Sequence, residues 1–262
     1  MDEAWVNAVD CTSRTWVDKT VISRRDAFSK GLSTGPTNPS GKGKRLIVVH
    51  IGNEDGFVPG GLLCFESKKN TKDYHDEMNG EVFFEWLESV LPRLKDNSVI
   101  VMDNAPYHSV KLDKAPTSAT KKADIIKWLQ DKGEVIDKPM VISQLMTIVR
   151  RIKHLHDKYV IYEYVKQYNK DILRLPPYHC ELNPIEMAWS TVKNHVKTNN
   201  TTYKLPDVRR LLEEGLDKVN GVMWKNFIRH VMGVENKFWD MDFMIDDMLA
   251  EKEPLLIQED KL

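Results

Sequence analysis

The segment VIVMDNAPYH (99–108) joins a short apolar run to an acid and a turn, and the organisation of the chain follows from it. The run VIVM predicts a buried strand that ends at Asp103, before the turn formers Asn104-Ala105-Pro106. A second segment, LPPYHCELNPIEMAWSTVKNHVK (175–197), starts at the end of another short apolar run. Its Asn183-Pro184 step predicts a helix start, with Asn as N-cap and Pro in the first turn.

Apolar runs and helical periodicity alternate on both sides of these segments. Strands are predicted at 46–51 and 62–66, as a hairpin, and at 99–102 and 172–175; helices are predicted at 79–94, 118–132, 139–153, 157–170, 183–197, 206–219 and 221–232. The helices between 137 and 170 form an insert before the last strand. This order predicts an α/β fold with a mixed sheet flanked by helices.

Charge is distributed unevenly along the 262 residues. The formal net charge is −1, which by itself argues against a nucleic-acid-binding protein. Residues 19–45 nevertheless carry +6, whereas residues 235–262 carry −6. A basic loop rich in Gly, Pro and Ser can contact a phosphate backbone, although a solvated surface loop has the same composition. We expect the acidic segment from Asp240 onward to be a frayed amphipathic end rather than a partner site.

Several classes of protein are excluded by composition. The three cysteines, Cys11, Cys64 and Cys180, contain no CxxC pair, so a zinc ribbon is excluded and a reducing compartment is expected. No apolar run is long enough to span a membrane, and the N-terminus lacks a signal-peptide pattern. We therefore expect a soluble intracellular protein.

Three carboxylates stand where a site can form. Asp103 ends a predicted strand, Glu186 is the third residue of a predicted helix, and Asp2 precedes a short apolar segment. Carboxylates that converge at a sheet edge repel one another, and Mg²⁺, which prefers oxygen ligands, relieves that repulsion. Two such ions can promote phosphodiester cleavage. Alternatively, Asp103 is only a turn former, and Glu186 forms a capping box with Asn183. His108, His179 and Glu181 are further candidates.

These segments resemble the catalytic core of mariner-type DDE transposases. The resemblance rests on VIVMDNAPYH, on LPPYHCELNPIEMAWSTVKNHVK and on the opening DEAWVN, and it spans about residues 45–200. It implies a ribonuclease-H-like domain over 1–200, with residues 201–262 as a helical extension. It also implies that Asp2, Asp103 and Glu186 are the catalytic acids and hold two Mg²⁺ ions, for which Mn²⁺ can substitute. Asn104 and His108 would be neighbours of these acids, not ligands.

The function implied by the resemblance is metal-dependent DNA cleavage and strand transfer in the nucleus. DNA would be the partner, bound weakly through its backbone, and a homodimer is one expected assembly; neither a membrane nor a small-molecule substrate is expected. The residues proposed to contact phosphate are Arg24, Arg25, Lys42, Lys44, Arg45, Lys193 and Lys197. A solvated surface is the alternative role of these basic residues.

The sequence departs from the family in three ways. The 83-residue interval from Asp103 to Glu186 is long, and the helical insert accounts for it. An N-terminal helix-turn-helix region is absent, and the chain begins one residue before Asp2, so we expect a frayed first strand. An inactive descendant that only binds DNA or protein therefore remains the alternative, as does a stand-alone nuclease.

Overall fold

The computed structural model describes residues 1–12, 19–31, 41, 43–67 and 78–250, with the side chains of those ranges except at 24, 247, 249 and 250. Its strands are β1 (Asp2–Asn7), β2 (Arg45–His50), β3 (Gly52–Asn53), β4 (Gly56–Phe57), β5 (Leu63–Ser67), β6 (Val99–Met102) and β7 (Asp171–Arg174). Its α-helices are α1 (Arg24–Ser29), α2 (Gly80–Val90), α3 (Lys122–Asp131), α4 (Ile142–Ile152), α5 (Val160–Gln167), α6 (Pro184–Asn199), α7 (Leu205–Lys218) and α8 (Gly221–Ala250). The predicted α/β class and order of elements are confirmed.

The chain folds as two compact units. Unit 1 comprises Met1–Met78, Val101–Asp103 and Leu173–Leu262, and unit 2 comprises Asn79–Ile100 and Asn104–Ile172. The predicted insert lies in unit 2, where α4 and α5 form its two helices. The predicted domain boundary at residue 200 stays a prediction; α7, beyond that boundary, contributes to the same core as β1 and β2.

The sheet of unit 1 has β2 at its centre. It pairs antiparallel with β1 on one side and with β5 on the other, which confirms the predicted hairpin. Because a central strand has both faces covered, its apolar residues run without alternation, and all of Leu46 to His50 is buried. In β1, Ala4 and Val6 lie opposite Val48 and Leu46. These cross-strand pairs give the sheet one apolar face.

Helix α6 covers that apolar face. Its buried residues recur every three or four positions, as expected for one side of a helix. They are Ile185, Ala188, Trp189, Val192 and Val196. Together with the β1 and β2 pairs and the buried face of α7, they form the core of unit 1. This packing fixes the direction of α6 on the sheet.

Two asparagine amides fix α6 along β1 at both ends. The Asn183 amide, before α6, donates to the Met1 carbonyl at 3.3 Å. The Asn200 amide, after α6, donates to the carbonyls of Ala8 and Asp10 at 2.8 and 2.9 Å. The helix therefore runs in the same direction as β1, from the start of the strand to its end.

The described strands of this α/β fold are grouped in small sheets. They form a three-stranded sheet and two two-stranded sheets, β3–β4 and β6–β7. The α-amino group of Met1 donates to the Val101 carbonyl at 2.7 Å, but one bond does not make a ladder.

Contrary to the expectation of a frayed strand, β1 is paired with β2 along its whole length, and Asp2 lies opposite His50.

Unit 2 is helical apart from its share of β6 and β7. The Asn79 side chain accepts bonds from the amides of Glu81 and Val82, which confirms the predicted cap of α2. Helices α3 and α4 pack through a separate core, in which Ile125, Leu129 and Leu145 are fully buried. Helix α3 starts later than predicted because Thr117 and Thr120 bond each other in a local turn, in which the Thr120 hydroxyl accepts from the Thr117 amide.

Helix α8 is longer than predicted. The prediction ended at residue 232, before Gly233, but the helix continues to Ala250. The expectation of a frayed end from Asp240 is therefore wrong for the residues up to Ala250. Among the helices that the structure describes, none is both long and apolar enough to cross a membrane.

Replacing Asn200 with Ala tests the bond at the end of α6. The side chain is buried and bonds three backbone groups, two carbonyls and the Tyr203 amide. Unsatisfied buried groups of this kind cost about 1–3 kcal/mol, so we expect Asn200→Ala to lower the free energy of unfolding by that amount in urea denaturation. Asn199→Ala is the matched control, because that side chain is exposed and bonds only His195 within its own helix. Equal effects of both variants would contradict the assignment.

Candidate active site

Asp2, Asp103 and Glu186 all belong to unit 1 and come from three different elements. Asp2 is the first residue of β1 and only 9% exposed. Asp103 follows the last residue of β6 and is half-buried. Glu186 is the third residue of α6 and is exposed. The three carboxylates thus extend from a buried strand end to solvent.

The capping alternative for Glu186 is not what the structure shows. The backbone amide of Asn183 donates to the Cys180 carbonyl at 2.9 Å, so it does not require the Glu186 carboxylate. The predicted positions of Asn183 as N-cap and Pro184 in the first turn are confirmed, but the Asn183 side chain makes no capping bond and its amide donates to the Met1 carbonyl. Asn183 therefore connects the start of α6 to the start of β1, and so brings Glu186 to the strand that carries Asp2.

Asp2 has a strongly perturbed carboxyl group. Burial, and then repulsion from Glu186, raise its pKa from 3.8 to about 7; the α-amino group of Met1 opposes this rise, and Asp103 adds to it. A carboxyl group with such a pKa is partly protonated at neutral pH. The proton on Asp2 reduces repulsion that the fold itself creates.

Glu186 experiences opposing influences. The residue is exposed overall, but partial burial of its carboxyl group raises its pKa; the Lys193 ammonium lowers that pKa, and Asp103 raises it. Lys193 lies seven residues after Glu186, two helical turns along the same face of α6. The three acids are therefore close enough to repel one another, and the Lys193 ammonium is close enough to Glu186 to offset part of that repulsion.

The donor set is suited to a hard divalent cation. Among the residues that the structure describes, no three His, Cys, Asp or Glu side chains lie close enough together to hold a metal ion. Mg²⁺ does not require three, because it is commonly bound through one or two carboxylates, with waters and substrate phosphates completing six ligands. The mutual repulsion of Asp2, Asp103 and Glu186 shows the excess negative charge that a cation would neutralise.

His50 is a neighbour of this site that sequence reasoning missed. It lies opposite Asp2 in the β1–β2 register, and its Nδ1 accepts a bond from the Ile51 amide at 2.9 Å. Burial lowers its pKa to about 4, so the ring is neutral at pH 7. The ring stacks on Phe57 at 4.4 Å between centroids. In the sequence His50 is only the polar member of an apolar run, which gave no signal of a site.

The remaining polar candidates lie elsewhere or bond one another. His108 is fully buried in unit 2, where its ring packs against those of Phe83 and Tyr107, at 4.9 and 4.6 Å. His179 bonds Glu181 at 2.8 Å, and this bond lowers the pKa of Glu181. Asn104 follows Asp103 and is exposed. The expectation that Asn104 and His108 are not ligands stays a prediction.

The basic candidates differ in how their charges are engaged. Lys44 pairs with Glu66 at 2.6 Å, and the Arg45 guanidinium lies 4.0 Å above the Trp5 ring. Arg25 and Lys197 are exposed, and Lys193 is half-buried beside Glu186. Lys42 and the side chain of Arg24 lie outside the described residues.

A solved structure is similar to this chain over most of its length. It is the crystal structure of the Mos1 Strand Transfer Complex, with 13% sequence identity and a TM-score of 0.48. The match covers 90% of this chain and 50% of the Mos1 chain, so this chain spans about half the length of that protein.

A family model provides the second comparison. The model described as DDE superfamily endonuclease matches residues 33–209, which is more than half of the chain. The matched range contains Asp103 and Glu186, and Asp2 precedes it. The α/β class, the element order and this match agree with the predicted fold class. The chain therefore belongs to the DDE superfamily endonuclease family.

Proposed function

We propose that this chain is the catalytic core of a DNA-cleaving and strand-transferring enzyme, in which Asp2, Asp103 and Glu186 hold divalent metal ions. The observation that carries the proposal is that three separate elements bring these carboxyl groups together in unit 1, where Asp103 raises the pKa of both Asp2 and Glu186, and Glu186 raises that of Asp2. The family supports a nuclease or transposase type of activity.

Each residue has a distinct part in the proposed site. Asp2 and Asp103 supply oxygen ligands from the ends of β1 and β6, and Glu186 supplies them from the first turn of α6. Bound Mg²⁺ or Mn²⁺ would provide an activated water and stabilise charge on the leaving oxygen. Asp2 must lose its proton before it can act as a ligand, and the Lys193 ammonium keeps Glu186 more readily ionised. Neutral His50 supports the strand opposite Asp2 without adding charge.

DNA is the proposed partner, and its backbone is the proposed contact. Lys193 and Lys197 are on the helix that carries Glu186, so phosphates bound there would lie beside the proposed metal ligands. A second set of cations consists of exposed Arg25, Lys44 in its ion pair with Glu66, and Arg45 above the Trp5 ring. A DNA substrate agrees with the proposed nuclear location, and a homodimer is the proposed assembly.

Nicking of supercoiled plasmid in Mg²⁺ or Mn²⁺ tests the catalytic role. We expect Asp103→Asn to lower the nicking rate at least about 10–100-fold, because even groups that only support metal ligands have effects of this size. Asp217→Asn is the matched control, since Asp217 is exposed on α7. Equal nicking by wild type and Asp103→Asn would refute the catalytic proposal and favour a protein that only binds.

The pH dependence of stability tests the crowding of the carboxylates. The pKa of Asp2 is higher in the folded chain than the ordinary 3.8, so the folded state binds its proton more tightly. This contribution is complete below pH 3.8 and is lost as the pH rises through about 7. In urea denaturation with EDTA present, we expect this contribution to make the free energy of unfolding of wild type fall as the pH rises from 3.8 to about 7. The Asp2→Asn variant should not show this fall. The contribution of His50 to stability is lost as the pH falls from 6.5 through about 4, and it is present in both proteins. The quantity to measure is therefore the difference in free energy of unfolding between wild type and Asp2→Asn at each pH.

An identical pH profile of wild type and Asp2→Asn would contradict the perturbed pKa of Asp2. Mg²⁺ provides the complementary test, because it competes with the proton for the same oxygens. We expect it to raise the melting temperature of wild type more at pH 8 than at pH 5, and to have little effect on Asp2→Asn.

The salt dependence of DNA binding tests the phosphate contacts. Each lysine that contacts a phosphate contributes about one unit to the slope of log K against log salt concentration. We expect Lys193→Ala and Lys197→Ala each to reduce the slope by about 1, measured by fluorescence anisotropy with duplexes of unrelated sequence. Lys225→Ala, an exposed lysine on α8, should leave the slope unchanged. An unchanged slope in all three variants would place DNA elsewhere on the chain.

A further inference from the structure

Helix α8 carries one apolar stripe along its whole length. Its members are spaced alternately by three and four residues, which is the spacing of a helix-packing seam. They are Trp224, Phe227, Val231, Val234, Phe238, Met241, Ile245 and Met248. We call this set the α8 stripe.

The two halves of the α8 stripe have different environments. Trp224 and Val231 are 2% and 5% exposed, and the Trp224 ring packs edge-on against Phe57 in the core of unit 1. Met241, Ile245 and Met248 are 44%, 54% and 63% exposed. The first half of the stripe thus packs on the core of unit 1, and the second half continues beyond that core. Trp239 and Phe243 add two exposed rings to this second half, with their ring centroids 6.2 Å apart. A continuous exposed apolar face of this kind is typical of an interaction surface.

A cleft lies at the point where the stripe leaves the core. Its volume is about 350 Å³, and it opens between the segment before α6 and the middle of α8. It is lined by Pro176, His179, Leu182, Glu235, Phe238, Trp239 and Asp242. The His179 ring packs edge-on against Phe238 at 5.2 Å. Two carboxylates and two large aromatic rings in one cleft are suited to a cation with an aliphatic stem, such as a Lys or Arg side chain.

The charges beside the exposed half of the stripe have one sign. Residues 235–250 contain five acids and one lysine, a net charge of −4. Glu235, Asp240, Asp242 and Asp246 are all exposed. This charge repels nucleic acid and anionic lipid surfaces, and it would bring like charges together if two copies of α8 packed on each other. The complementary surface is cationic as well as apolar.

We propose that the exposed half of α8, from Glu235 to Met248, is the docking site of a basic amphipathic helix from a partner protein. The apolar face of that helix packs on Met241, Ile245 and Met248. One of its Lys or Arg side chains enters the cleft between Phe238, Trp239 and the carboxylates of Glu235 and Asp242. None of the residues that line this surface is a proposed catalytic carboxylate, although its cleft shares the segment before α6 with Glu186. The proposal does not depend on whether the chain cleaves DNA.

A pair of synthetic helical peptides tests this proposal with the full chain. Each is about five turns long, roughly 18 residues, with Leu on one face; one has Lys and Arg beside that face and the other has Glu. With fluorescein-labelled peptides in an anisotropy titration, we expect one basic peptide to bind per chain, at least about tenfold more tightly than the acidic peptide. Equal binding of both peptides, or of neither, would overturn the proposal.

Two matched pairs of variants locate the binding surface. Ile245→Asp should weaken binding of the basic peptide at least about tenfold, whereas Val222→Asp, at an exposed apolar position of the same helix, should not. Asp242→Lys should weaken the basic peptide and strengthen the acidic one, whereas Asp217→Lys on α7 should change neither. Circular dichroism confirms that each variant is folded.

Sedimentation velocity distinguishes a partner protein from a second copy of this chain. We expect the wild-type chain not to associate through α8. A dimer that dissociates in Ile245→Asp but persists in Val222→Asp would overturn the proposal and assign the stripe to self-association. Peptide binding that survives Ile245→Asp and Asp242→Lys would also overturn it, because the peptide would then bind elsewhere.

Discussion

The arrangement of unit 1 depends on the fixation of α6 along β1 by two asparagine amides. Sixteen helical residues extend about 24 Å, and the seven steps from Met1 to Ala8 extend about 23 Å in a strand. The helix and the strand therefore match in length, and Asn183 and Asn200 can bond both ends at once. The two asparagine bonds determine the position of α6 along the sheet, and the helix covers the apolar face of the sheet in that position.

This fixation has an electrostatic consequence. Packing of α6 on β1 brings Glu186 towards Asp2, and the loop after β6 adds Asp103, although the three carboxyl groups repel one another. The apolar core stabilises the packing of α6 on β1, whereas repulsion between the carboxylates destabilises it. A raised pKa at Asp2 is the direct result, because the Met1 α-amino group and the Lys193 ammonium offset only part of the repulsion and a bound proton reduces it further. Such tension is common where a fold is arranged for chemistry.

The parts of the fold that the sequence predicted correctly are those with one dominant local cause. The run at 46–51 is buried on both faces, and Asn79 caps α2, because continuous apolarity and a single capping oxygen determine these features. Asn183 resembles Asn79 in the sequence, yet its amide bonds a carbonyl 182 residues away. A long-range bond of this kind leaves no local pattern, so the sequence predicted the N-cap position of Asn183 but not the partner of its side chain.

The site shows the same division. Asp103 and Glu186 follow a strand end and a helix start, which a sequence displays, whereas His50 is recognisable only through its pairing with Asp2. Helix α8 was predicted too short because Gly233 and the acids after it resemble a helix end. The seam spacing of the α8 stripe continues past both, and its apolar face outweighs the low helix propensity of one glycine.

The equal length of α6 and β1 determines where such a chain can change in length during evolution. One residue added inside α6 turns everything beyond it by about 100° and moves it by about 1.5 Å. Either Asn183 or Asn200 would then lose the carbonyl that it bonds at its end of β1. The long interval between Asp103 and Glu186 is under no such restriction, since its extra helices lie in unit 2, where α3 and α4 pack around their own core. Related chains can therefore differ widely in that interval while the fifteen residues from Glu186 to Asn200 keep their number.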